Sequence, residues 1–71
     1  MKPTPVPLRD EHITLVQAVK VAGLVGSGGQ GKRFVREGAI TVNGVPEARP
    51  GRKLVAGDRF AVGDQEWVIQ P

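Results

Sequence analysis

Two helix starts lie close together in the first half of the chain, Thr14-Leu15-Val16-Gln17 and Ser27-Gly28-Gly29-Gln30, and they leave room for only two short helices. In each, a hydroxyl can cap the amide three residues on while a glutamine reaches back to the capping residue. Leu15, Ala18, Val19 and Ala22 follow at helical spacing, and Gly23 closes a helix predicted over 14–22. Gly38 closes a second helix predicted over 28–37. At 100° per residue, Gly31, Phe34 and Val35 share one face of that second helix. Lys32, Arg33 and Arg36 occupy a separate arc of about 100°. Packing is therefore expected through Leu15, Val19, Phe34 and Val35, with Gly31 allowing close approach of the first helix.

After Gly38 the period changes to two. Ile40 and Val42 alternate with Thr41 and Asn43, and Asn43-Gly44 is a type I′ hairpin signal. Pro46 assigns the return segment, Val45 to Arg49, to a sheet edge. Strands are predicted near 39–43, 59–62 and 65–70, the last two joined by a tight turn at Gly63-Asp64. The expected fold class is α+β: two packed short helices followed by a small antiparallel β-sheet. Prolines at 3, 5 and 7 favour an extended backbone, so residues 1–11 are expected to form a loose Pro-rich arm ahead of one domain over 12–71.

Seventy-one residues are too few for a complete dinucleotide-binding fold or a barrel, which excludes the large enzyme architectures. No apolar stretch reaches the roughly 20 residues that span a bilayer, and the N-terminal residues lack an apolar signal segment. A cytoplasmic location is expected by default. Without cysteine, disulfides and thiolate chemistry drop out.

The formal charge of +3 is unevenly spread. Residues 27–53 hold Lys32, Arg33, Arg36, Arg49, Arg52 and Lys53 against only Glu37 and Glu47, whereas the stretch from Leu54 onward is net acidic. An anionic partner for the middle of the chain follows. Because Lys32, Arg33 and Arg36 also lie at a glycine-rich helix start, whose first amides favour anions, nucleic acid is the leading class.

Several motifs invite other readings and fail on chemistry. Gly26-Ser27-Gly28-Gly29-Gln30-Gly31-Lys32 matches a phosphate-loop pattern, but Arg33 stands where a metal-holding Ser or Thr is needed, and a helix precedes the glycines instead of a strand. Nucleotide is therefore not expected as a ligand, and no cofactor is implied. His12 is the single histidine and has no cysteine to share a metal with, so no metal site is expected. Asp10 and Glu11 lack an apolar setting to separate their pKa values for acid–base work. Ser27 has no base to activate it, and capping accounts for it.

Taken in order, Ser27-Gly28-Gly29-Gln30-Gly31-Lys32, Glu37-Gly38-Ala39-Ile40-Thr41-Val42-Asn43-Gly44 and Gly57-Asp58 resemble the RNA-binding domain first known from ribosomal protein S-four. The pattern is similar in particular to the small stand-alone bacterial members of the YbcJ type, over about residues 12–70. The resemblance implies an αL-type fold that holds structured RNA, such as ribosomal RNA or ribosomal particles, against the helix pair and adjoining loop, without catalysis. By position it assigns Ser27, Gln30, Lys32 and Arg33 to the RNA-facing start and flank of the second helix. The charge argument adds Arg36, Arg49, Arg52 and Lys53. Two departures stand out: Gly28 where many members have Arg, and Gly31 where Ala is usual. The alternative from another class is a protein-interaction module whose basic face docks an acidic protein partner.

Overall fold

The computed structural model describes residues 2–71. Its chain order is β1 (Thr4–Pro7), β2 (Ile13–Thr14), α1 (Leu15–Val21), α2 (Gly28–Arg36), β3 (Ile40–Val42), β4 (Val45–Pro46), β5 (Lys53–Leu54), β6 (Arg59–Val62) and β7 (Gln65–Gln70). Five strands form a sheet in the order β1-β7-β6-β3-β4, and β2 pairs with β5 in a separate two-stranded ladder. The α+β class holds, but the main sheet is mixed: β1 runs parallel to β7 while the other pairs are antiparallel.

That parallel strand corrects the reading of residues 1–11 as a loose arm. Thr4–Pro7 is an edge strand in register with Trp67–Gln70, and Val6 is fully buried. The prolines make this possible rather than preventing it. A strand directs alternate amides to opposite sides, so Pro3, Pro5 and Pro7, which lack N–H, can sit where an edge strand faces solvent. Val6 turns into the core with Leu8 half-buried beyond it, and the Leu8 amide donates to the Gln70 carbonyl at 2.6 Å.

Both helix starts form as the sequence predicts. Thr14 caps α1 with a reciprocal box: its Oγ1 accepts from the Gln17 amide at 3.3 Å and its own amide donates to Gln17 Oε1 at 3.0 Å. Ser27 caps α2 through the Gln30 amide, but the Gln30 side chain reaches one residue further, accepting from the Gly26 amide at 2.9 Å. Gly38 leaves α2 in the left-handed region at φ +80°, where a Cβ is disfavoured.

The core joins Leu15, Ala18 and Val19 of α1 and Val35 of α2 to Val6, Ile40, Val42, Leu54, Phe60, Trp67 and Ile69 of the strands. Phe60 and Trp67 are cross-strand partners stacked at 5.1 Å between ring centroids. Phe34 departs from the expected packing: it is half-buried at the margin of the core, not inside it. At about 240° around α2, counted from Gly28, its Cβ lies well off the line through Gly31 and Val35 that meets α1.

Candidate functional site

The surface is built from the way α2 sits on α1. A Cβ built on Gly31 would fall 2.7 Å from Val16 Cγ2, so the bare glycine is what lets the two helices come this close. With Gly31 and Val35 buried against the molecule, Lys32, Arg33 and Arg36 are held outward and exposed. Among the described residues these three cations make no ion pair, not even Arg33 with Glu37, which stands one turn on. Ser27 and Gln30 sit at the exposed start of the same helix, where both are engaged in capping. The first two amides, of Gly28 and Gly29, precede any intrahelical acceptor.

The loop cations are arranged differently. The backbone of this loop docks on the start of α1: the Pro50 carbonyl accepts from the Val16 amide at 3.1 Å and the Arg52 carbonyl from the Leu15 amide at 2.8 Å. Two amides that a helix start leaves without partners are thereby satisfied. Lys53 follows in β5, paired with Thr14 and exposed, with no ion pair of its own. Arg49 and Arg52 converge on Glu47, which is buried behind them. Arg49 Nε lies 3.0 Å from Glu47 Oε2, Arg52 Nη1 lies 2.8 Å from Glu47 Oε1, and the Arg49 amide also donates to the carboxylate. These donors, Arg49 first and Arg52 second, hold the Glu47 carboxyl down from the ordinary 4.5 to about 2. Reciprocally, Glu47 raises the pKa of Arg49. Arg49 keeps 77% of its side chain exposed and Arg52 35%, so both still reach solvent, but as parts of a neutralised cluster.

The eight residues singled out from the sequence thus fall into two groups linked through Val16 and the first turn of α1: Ser27, Gln30 and the unpaired cations at α2, and the loop set, in which Arg49 and Arg52 are bound to Glu47 and Lys53 is not. The charge count did not distinguish them. The sequence marks Asn43 as a turn residue, but not that its side chain joins its hairpin to the Gly57-Asp58 turn. Asn43 Oδ1 accepts from the Arg59 amide at 3.0 Å, and Nδ2 donates to Asp58 Oδ1 at 3.2 Å. With Asn43 at φ 52° and Gly44 at φ 83°, the hairpin is a primed turn, and the late Gly-Asp is its bolt. The glycine-rich segment that matched a phosphate loop comprises the end of the α1–α2 connection and the start of α2, and the element before it is a helix rather than a strand.

A family model described as the S4 domain matches residues 6–70. The chain belongs to the S4 domain family. The match begins in β1, in keeping with that strand being part of the sheet. A protein of Bacillus subtilis (strain 168) named probable ribosome maturation protein RlbA is 44% identical over 54 residues, 76% of this chain and 76% of the relative. This S4 domain therefore presents its unpaired cations on the helix that the Ser-Gly-Gly-Gln start initiates, and its neutralised ones on the loop that caps α1.

Proposed function

We propose that this S4 domain binds folded RNA, ribosomal RNA or an assembling ribosomal particle in the cytoplasm, through the exposed arc of α2, and that it does so without catalysis. The observation that carries the reading is the set of three neighbouring cations, Lys32, Arg33 and Arg36, exposed and without protein counter-ions on a helix seated by Gly31. Arginine and lysine on one such arc suit phosphates, which dominate RNA affinity. Family membership and the relative named for ribosome maturation support the choice of ribosomal RNA over other polyanions.

The choice of folded over single-stranded RNA rests on the aromatic rings. Binding that tolerates any single strand relies on stacking platforms. Phe60 and Trp67 are buried and stacked on one another, which leaves the half-buried Phe34 as one isolated ring, too few for a run of stacked bases. A convex basic helix suits the phosphates and 2′-hydroxyls of structured RNA.

Competition at near-physiological salt between a folded ribosomal RNA fragment, poly-uridine and duplex DNA tests the proposal. The folded fragment is expected to compete best. Equal competition by poly-uridine would remove the preference for folded RNA. Capture of an acidic protein that survives nuclease, with no RNA bound, would favour the protein-docking alternative.

A further inference from the structure

Beside the basic arc of α2 lies a notch of about 470 Å³ lined by Leu24, Val25, Gly29, Gln30, Arg33, Phe34 and Glu37. Counted from Gly28 at 100° per residue, Lys32 and Arg36 lie at about 40° and 80°, Arg33 at about 140°, and Glu37, Gln30 and Phe34 at about 180° to 240°. Arg33 therefore belongs to both surfaces, and any nucleic-acid backbone lying along the cations runs past the mouth of the notch. The apolar part of the wall is Leu24, Val25 and the half-buried ring of Phe34. Of the two phenylalanines and the tryptophan, Phe34 is the one that is neither buried nor already stacked.

The polar part has a defined pattern of donors and acceptors. The Gly26 amide can donate only to an oxygen, so its 2.9 Å bond fixes the Gln30 oxygen inward and leaves the Gln30 NH2 group as a donor. Glu37 is exposed, makes no ion pair among the described residues, and offers a carboxylate that only accepts. A bare carboxylate at the edge of a phosphate-binding surface opposes the backbone of RNA. It suits instead a base edge that presents hydrogen-bond donors.

We propose that the notch takes one unpaired nucleobase of the bound RNA, stacked on Phe34, and that it prefers guanine. Guanine places two neighbouring N–H donors beside a carbonyl, matching the Glu37 carboxylate and the Gln30 NH2 group. Uracil offers one donor between two carbonyls, one of which meets the carboxylate. The inference rests on the RNA-binding reading and adds to it a site that reads sequence.

The test uses synthetic RNA hairpins of one stem, fully paired or carrying a single bulged G, A, C or U, titrated against the whole chain. The bulged-G hairpin is expected to bind about tenfold more tightly than the paired one, within the range that stacking of one base provides, with bulged U near the paired level. Phe34→Leu should erase the advantage of the bulge while leaving affinity for the paired hairpin unchanged, which also shows that the variant is folded. Glu37→Gln should keep the stacking advantage and level G with the other bases. If bulged and paired hairpins bind equally, or the bulge advantage survives in Phe34→Leu, the notch is not a base site although RNA binding stands. If no hairpin binds at any salt concentration, the RNA reading fails and this inference fails with it.

Discussion

The second helix and the loop around Glu47 carry the same kinds of side chain and use them in opposite ways. On α2, three cations make no ion pair among the described residues although Glu37 directly follows Arg36, and the helix turns Gly31 and Val35 to its buried side. In the loop, Glu47 is buried and two arginines close over it. The first arrangement leaves its charges for a partner. The second spends them on holding the segment after β4 against the start of α1. Position on the chain cannot make that distinction, because all six cations fall within residues 27–53 and contribute equally to net charge. What separates them is whether an acid is buried within reach.

The comparison is broken most forcefully by reversing charge on the helix. Lys32→Glu with Arg33→Glu removes two charged hydrogen-bond donors and adds two repulsions, while touching no buried residue. Each charged contact contributes about 1.5–3 kcal/mol, so affinity for a folded ribosomal fragment should fall by more than about 100-fold. Thermal unfolding of the double variant should match the parent. Near-normal affinity in a folded double variant would move the binding surface elsewhere.

A smaller effect tests how α2 is seated. Gly31→Ala gains about 0.5–1 kcal/mol of helix preference but drives a methyl into Val16, whose β-branched side chain has little rotameric freedom on a helix. Overpacking of this kind costs about 1–3 kcal/mol, so a net destabilisation of about 1 kcal/mol is expected by denaturant titration. Adding Val16→Ala should recover part of the loss in a double-mutant cycle. A more stable Gly31→Ala single variant would show that the helices can part without cost.

How much of this could be read from the residues depends on how local the signal is. The caps at Thr14 and Ser27, the glycine stops and the Asn43-Gly44 hairpin are decided within a few residues, and they form as expected. β1 was missed because prolines were read one at a time as extended and solvated. Their alternation with Val6 and Leu8 is the local mark of an edge strand, but only the partner β7, some sixty residues away, turns it into one. The two-residue strands β2 and β5 carry no periodicity and exist because the loop carbonyls meet the start of α1. Phe34 was assigned to the core because 100° spacing groups it with Gly31 and Val35, yet the direction of closest approach is set by Val16 and leaves the ring at the margin. Within the candidate site, the α2 cations were legible from their number, three against the single nearby acid Glu37. The neutralisation of Arg49 and Arg52 was foreshadowed by Glu47 two residues before Arg49, a signal that the charge count averaged away.

Acid tests the loop directly. Glu47 is protonated as pH falls toward about 2. Its carboxyl is held below the ordinary 4.5 in the folded chain, so it contributes stability that is fully present above about 4.5 and is lost between there and about 2. Glu47→Gln should therefore be less stable than the parent at neutral pH, with the gap narrowing across that window. The measurement is the difference between the two denaturation curves at each pH, since other carboxylates titrate in both proteins and cancel. A gap independent of pH would mean that the carboxylate charge is irrelevant to the loop.

The finest distinction concerns how much charge each region still offers to RNA. Every phosphate neutralised by a protein cation releases counterions, so each full contact contributes close to one unit of log–log salt slope. Arg36, which forms no ion pair among the described residues although Glu37 follows it, should act as a full cation, and Arg36→Ala should make the slope shallower by about 1. Arg49 shares its charge with Glu47 through a bond from Nε and another from Nη2, and the carboxylate would be brought toward the phosphates along with it. Arg49→Ala should therefore change the slope by well under 1. The two variants together ask whether local pairing or gross charge governs the interface, because each removes one positive charge from the same chain. Should both variants shift the slope equally, the Glu47 cluster opens on binding and the loop joins the RNA surface as a full partner. If Arg36→Ala alone shifts it, the loop arginines serve the fold, and the charge available to RNA is that of α2 with Lys53.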